Sequence, residues 1–132
     1  MLGYQMSAVT EAELSRVFDK ALANGPNSLS PAERRLYLIQ AFILEWEMGS
    51  LSGYFYNRLP DVPVLEETII AMRSHELDLL ADILDEAVGL FRDYRDPDPP
   101  TTWTEVLRRY DPHGRLKSLD QQIAGLGNYG IT

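Results

Sequence analysis

The sequence predicts an all-α fold: a single compact domain, spanning residues 1–132, of about six helices around a buried second helix. Apolar residues recur at spacings of three and four along most of the chain, and no segment alternates apolar and polar residues as a strand does. Side chains that cap helices precede several of these segments. The length of 132 residues suits one domain, which buries roughly two-thirds of the surface that its unfolded chain exposes.

The first two helices have the clearest starts. Thr10 and Glu13 have the spacing of a capping box and begin the first helix, and Ser30 and Glu33 repeat that spacing at the start of the second. The second helix runs to about Met48, and its large apolar residues cover more than one face. We therefore expect it to be the most buried helix. These apolar residues are Leu36, Leu38, Ile39, Phe42, Ile43 and Trp46.

The middle of the chain predicts two further helices. The segment 49–57 favours one or two helical turns, and Arg58 to Pro63 is expected to form a loop because its prolines lack backbone donors. A helix then spans Val64 to about Arg73. Ser74 is expected to cap the next helix, which runs from roughly His75 to Tyr94 with apolar residues on one side and acids on the other.

The last third of the chain predicts shorter elements. Residues 93–100 contain three prolines and favour an extended acidic loop. Thr102 and Glu105 begin a helix that ends at Tyr110. A final helix is expected from Leu116 to Ala124, followed by a frayed end.

Composition narrows the classes of function. The absence of cysteine fits a reducing compartment and excludes disulfides, thiolate metal sites and cysteine nucleophiles. No window approaches the ~20 apolar residues of a membrane span, and the N-terminal residues lack the pattern of a secretory signal. We therefore expect a cytoplasmic protein that does not bind a membrane.

No group of residues predicts catalysis, a cofactor or a metal. Residues 74–76 contain the residue types of a catalytic triad, but adjacent helical residues point about 100° apart. His113 lies in a turn without a second histidine at metal-binding spacing. Prolines interrupt the calcium-loop pattern that Asp96 and Asp98 begin. We expect a protein that is not an enzyme.

Negative charge is concentrated in the middle of the chain. The 20 acidic and 12 basic residues give a net charge of −8. Residues 61–98 contain 11 of the acidic and three of the basic residues, so this segment carries 3 − 11 = −8 and the remainder balances. Such a distribution disfavours direct binding to nucleic acid and favours a basic protein partner.

Four acids of the 75–94 helix are the candidate partner-binding residues: Asp78, Asp82, Asp85 and Glu86. The first three follow each other at spacings of four and three, which places them on one helix face over about 10 Å. The same residues would also serve as the solvated face of an ordinary amphipathic helix, and the sequence leaves both interpretations open.

The stretch from Glu45 to Asn57 contains an aromatic cluster, formed by Trp46, Tyr54, Phe55 and Tyr56. We expect these side chains to pack the second helix against the turn that follows it. A ligand pocket is the alternative, because aromatic residues with a polar atom are common in such sites.

The same stretch resembles the signature of a bacterial family of domains of unknown function, one that includes the C-terminal domain of the DNA-mimic protein. The resemblance extends over about Leu29 to Phe91. It implies an all-helical fold without known catalytic chemistry. One member is similar to duplex DNA in its surface charge and occupies the DNA-binding face of a transcription regulator. The matching signature residues here are Glu45, Gly49, Tyr54, Phe55 and Asn57.

Two classes of function remain open. The first is a small acidic interaction domain that binds a basic, nucleic-acid-binding protein surface, as a DNA-mimic-like protein or an inhibitor would. The second is a structural or scaffold domain that self-associates as a homo-oligomer through an apolar patch on its second helix. An enzyme is the least supported class.

Overall fold

The computed structural model describes residues 9–96, 99 and 101–131, and within them the chain forms six α-helices and no strand. The predicted all-α fold class is therefore confirmed. Two single 3₁₀ turns, Pro26–Ser28 and Asn128–Gly130, complete the fold. The helices are α1 (Glu11–Asn24), α2 (Pro31–Arg58), α3 (Val62–Ser74), α4 (Asp78–Gly89), α5 (Trp103–Tyr110) and α6 (Arg115–Ala124).

Both predicted capping boxes form at the starts of α1 and α2. The Glu13 amide donates to Thr10 Oγ1 at 3.2 Å, and the Thr10 amide donates to Glu13 Oε1 at 3.2 Å. Ser30 and Glu33 make the same reciprocal pair at 3.1 and 2.9 Å. These bonds satisfy amides that have no partner inside a helix.

Helix α2 consists of two segments that meet at Ser50, where φ is 60° and ψ is −170°. The second segment confirms the helical turns expected within residues 49–57. Helix α2 packs against α1, α3 and α6, and it contributes buried residues from several faces, as expected of the central helix. These buried residues are Leu36, Leu38, Ile39, Ala41, Phe42, Ile43, Leu51, Tyr54 and Phe55.

The loop predicted up to Pro63 is shorter than expected. Helix α3 already begins at Val62, because Asp61 caps it and Oδ1 of Asp61 accepts from the Val64 amide at 3.3 Å. Pro63 lies in the first turn of α3, where its missing donor would have had no partner inside the helix.

The predicted start and end of α4 were wrong. Ser74 does not cap α4; it ends α3, and its hydroxyl donates to the Ala71 carbonyl at 2.8 Å. Glu76 then adopts a positive φ of 62°, and the chain reverses before α4 begins at Asp78. Beyond Gly89 the helix gives way to turns, with the Tyr94 amide bonded to the Phe91 carbonyl at 2.9 Å.

The C-terminal end is ordered by tertiary contacts through residue 131, so the predicted fraying was wrong there. Ile131 is buried, and Asn128 Nδ2 donates to its carbonyl at 3.0 Å. The ring of Tyr129 packs edge-on against Trp46, with centroids 5.8 Å apart. Parts of the predicted 93–100 loop, namely Pro97, Asp98 and Pro100, lie outside the described residues.

Candidate functional site

The four predicted partner-binding acids lie on the exposed side of α4. The side chains of Asp78 and Asp82 are 66% and 63% exposed, and those of Asp85 and Glu86 are 44% and 49% exposed. The opposite side of the helix packs into the core through Leu80, Ala81, Leu84, Ala87 and Val88. The amphipathic pattern of α4 therefore orients the acids toward solvent.

Arg73, near the end of α3, contacts the three aspartates of α4. Its Nη1 atom lies 2.8 Å from Asp82 Oδ1 and 4.0 Å from Asp78 Oδ1, and its Nη2 atom lies 3.7 Å from Asp85 Oδ2. The turn between α3 and α4 places this single guanidinium group between three carboxylates.

Two further arginines complete the pairing. Arg92 Nη2 lies 2.5 Å from Asp85 Oδ1 and 2.8 Å from Glu66 Oε1, so it joins α4 to α3. Arg115, at the start of α6, pairs with Glu86. Its hydrogen bond holds the pKa of Glu86 below the ordinary value, which keeps that carboxylate ionised.

These residues form one charged surface, which we call the acidic face. It contains five carboxylates and three guanidinium groups, so its formal charge is 3 − 5 = −2. Charges of both signs alternate across it, and α4 does not present a bare row of carboxylates. The members are Glu66, Asp78, Asp82, Asp85, Glu86, Arg73, Arg92 and Arg115.

A second polar arrangement anchors the break in α2. Asp120 of α6 accepts two hydrogen bonds through Oδ1, one from Trp46 Nε1 at 2.8 Å and one from the Leu51 amide at 2.9 Å. The carboxylate thereby caps the second segment of α2 and fixes the last turns of the first. No sequence signal identified Asp120, because its partners lie 69 and 74 positions away.

The residues that carry the family resemblance surround this break. Tyr54 and Phe55 are buried, so packing is confirmed for these two members of the aromatic cluster. Burial raises the pKa of Tyr54 to about 12. Glu45 pairs with Arg58 across the break, and Asn57 Nδ2 lies 3.5 Å from the same carboxylate group.

Tyr56 differs from the rest of the cluster, because it is 63% exposed and lines two depressions. The first depression has a volume of about 240 Å³ and is lined by Glu45, Met48, Gly49, Gly53, Tyr56 and Asn57. The second, which we call the aromatic cavity, has a volume of about 400 Å³. It is lined by Tyr56, Leu59, Tyr94, Asp96, Thr101, Trp103 and Val106.

Ser74 and Glu76 are two of the residues that the sequence analysis considered for catalysis. Ser74 and Glu76 lie where α3 ends and the chain reverses, and the Ser74 hydroxyl is bonded to a backbone carbonyl. Across residues 9–96, 99 and 101–131, no three His, Cys, Asp or Glu side chains are grouped to hold a metal ion. In the same part of the chain, no helix has the length and apolar character needed to cross a membrane.

The described residues form an all-helical domain whose acidic face is organised by ion pairs. The family model for DMP19-like protein matches residues 27–129, and the chain therefore belongs to the DMP19-like protein family. This match extends past the 29–91 resemblance and includes α5 and α6, with Arg115 and Asp120. No curated protein and no solved structure matches the chain.

Proposed function

We propose that this protein is a non-catalytic interaction domain whose acidic face binds a basic protein surface. The observation that carries the proposal is the confinement of the net charge of −8 to residues 61–98, the segment that includes the exposed carboxylates of α4. A localised negative field attracts a basic partner, and steering of this kind increases association rates by roughly 10- to 1000-fold.

The arginines of the acidic face indicate which kind of partner surface would match it. Because Arg73 and Arg92 lie between the carboxylates, the surface presents alternating charges with a formal sum of −2. A uniform row of phosphates would be imitated poorly by this pattern. A protein surface with lysines or arginines at matching positions, and acids opposite the arginines, would suit it better.

Replacing the ion pairs within the acidic face by ion pairs with a partner costs little free energy. Exposed ion pairs contribute only about 0–1 kcal/mol each, because water screens them and their long side chains lose conformational freedom. A partner's cations can therefore displace the arginines from individual carboxylates without unfolding α4. We propose that this DMP19-like domain inhibits a nucleic-acid-binding protein, which it recognises by the specific alternation of charges on the acidic face and not as a close copy of a phosphate row.

The test is a pull-down from native lysate at low and high salt. Wild type should retain a basic protein at low salt and release it at high salt, since the screening length falls from about 10 Å at 0.1 M to about 3 Å at 1 M. A variant with Asp78→Asn, Asp82→Asn and Asp85→Asn should lose that protein, because the formal charge of the acidic face changes from −2 to +1.

A charge-matched control separates the acidic face from net charge. Glu11→Gln, Glu13→Gln and Asp19→Asn remove three charges from exposed or partly exposed positions of α1, and a glutamine side chain in place of Glu13 can still accept in the capping box. The control variant should retain the same protein as wild type. Equal retention by wild type and both variants would contradict the proposal.

Self-association is the second candidate function. Met48 is 89% exposed and Tyr56 is 63% exposed, and both lie on α2 beside the break. An apolar contact there would join two copies independently of salt. Sedimentation of wild type and a Met48→Ser/Tyr56→Ser variant tests this. A salt-resistant dimer that the variant lacks would favour the scaffold interpretation.

A further inference from the structure

Two of the aromatic rings that line the aromatic cavity lie at a steep angle to each other. The rings of Tyr56 and Trp103 are inclined by 74°, with centroids 5.6 Å apart. Tyr94 contributes a third ring to the lining. Three aromatic side chains therefore line one opening. Aromatic rings grouped around an opening are a chemistry that binds organic cations.

Trp103 is fixed in position before any ligand binds. Its Nε1 atom donates to Ser52 Oγ at 2.9 Å, and its ring stacks on the buried Phe91 with an interplanar angle of 15°. Because this wall is already ordered, the entropic cost of binding a ligand is smaller. The cavity therefore has a rigid side, formed by α5, and an exposed side, formed by Tyr56.

Asp96 places a negative charge on the lining of the cavity. Burial, and then the charge of Asp96 and its hydrogen bond with the phenol, raise the pKa of Tyr94. In contrast to the aspartates of the acidic face, Asp96 forms no ion pair with a lysine or arginine among the described residues. A cation supplied from outside would complete this arrangement.

We propose that the aromatic cavity binds the ammonium group of a lysine side chain from a partner protein. The ammonium group would lie against the rings and Asp96, and the methylenes of the lysine would contact Leu59 and Val106. The volume of about 400 Å³ lies within the range of ligand sites. That the lysine comes from a basic partner protein rests on the proposed function. Binding of an isolated lysine derivative to the cavity does not depend on that proposal.

Titration with small lysine analogues, followed by nuclear magnetic resonance, tests this site directly. The probes are N-acetyl-lysine N-methylamide, its trimethylated form, and the norleucine analogue, which has a similar apolar stem without the amine. Both cations should shift the Trp103 indole signal in a saturable manner, and the trimethylated form should bind more tightly because it is less strongly hydrated. The Trp46 indole signal, outside this cavity, should move less.

Two variants assign the binding to the cavity. Tyr56→Leu and Asp96→Asn should each raise the Kd for the lysine probe by at least about threefold, with the fold retained because both side chains are exposed. The Asp78→Asn/Asp82→Asn/Asp85→Asn variant should bind the probe as wild type does, even if it loses the partner protein. Norleucine binding equal to lysine binding, or an unchanged Kd in both cavity variants, would overturn the proposal.

Discussion

Replacement of Asp120 by alanine should destabilise the protein more than any exposed substitution. The change removes the acceptor for Trp46 Nε1 and for the Leu51 amide, which lie 2.8 and 2.9 Å from Oδ1. A hydrogen bond to a charged group contributes about 1.5–3 kcal/mol, and the site is partly buried. We therefore expect the free energy of unfolding to fall by about 3 kcal/mol, which lowers Tm by roughly 12 °C in a domain of this size.

Urea unfolding monitored by circular dichroism measures this change. Asp120→Asn keeps an oxygen acceptor and should lose less than half as much stability as Asp120→Ala. Asp19→Ala, on the solvent side of α1, serves as the control and should change stability by less than about 0.5 kcal/mol. If Asp120→Ala also stayed within about 0.5 kcal/mol of wild type, the carboxylate would not anchor the break in α2.

Two other predictions concern the caps and the backbone. Ser50→Gly should raise the urea midpoint by the equivalent of about 1 kcal/mol, because φ 60° with ψ −170° is a region that glycine adopts without strain; a lower midpoint would contradict this. Hydrogen bonds from the Ser30 backbone and Lys20 lower the pKa of Glu33 from 4.5 to about 2. The contribution of the Glu33 carboxylate to the free energy of unfolding is present above pH 4.5 and is lost as pH falls toward 2. Glu33→Gln should therefore flatten the pH dependence of the free energy of unfolding in this window, and an unchanged slope would refute this prediction.

The sequence predicts elements that depend on neighbouring residues. The caps at Thr10, Ser30 and Thr102 each involve a glutamate three positions later, so both partners lie within one turn and can be recognised from spacing alone. The solvent-facing side of α4 follows from its helical period in the same way. These local signals were sufficient for the fold class and the central helix.

Features that depend on distant contacts could not be predicted. Asp120 binds the break in α2 from 69 and 74 positions away. The C-terminal end is ordered because Ile131 and Tyr129 pack against residues of the core. The glycines in this part of the sequence, taken alone, favour fraying. The sharp turn before α4 could not be predicted for a local reason, because it requires a positive φ at Glu76, a conformation that a glutamate does not favour.

The sequence predicts only part of the arrangement of charges around α4. The spacing of Asp78, Asp82 and Asp85 identifies three acids on one side of a helix. Their neutralising partners come from other elements, since Arg73 lies on α3 and Arg92 follows α4. A helical period describes only the residues of its own helix, and for that reason it gives the carboxylates of α4 without the arginines that lie between them.

The association rate of the captured basic protein, measured against salt concentration, tests the proposed function most directly. Arg73→Gln with Arg92→Gln should increase the rate at low salt, because the acidic face changes from −2 to −4. The Asp78→Asn/Asp82→Asn/Asp85→Asn variant should decrease the rate and flatten its salt dependence, and the α1 control should do neither. Equal rates and equal salt slopes in all four proteins would contradict binding through the acidic face.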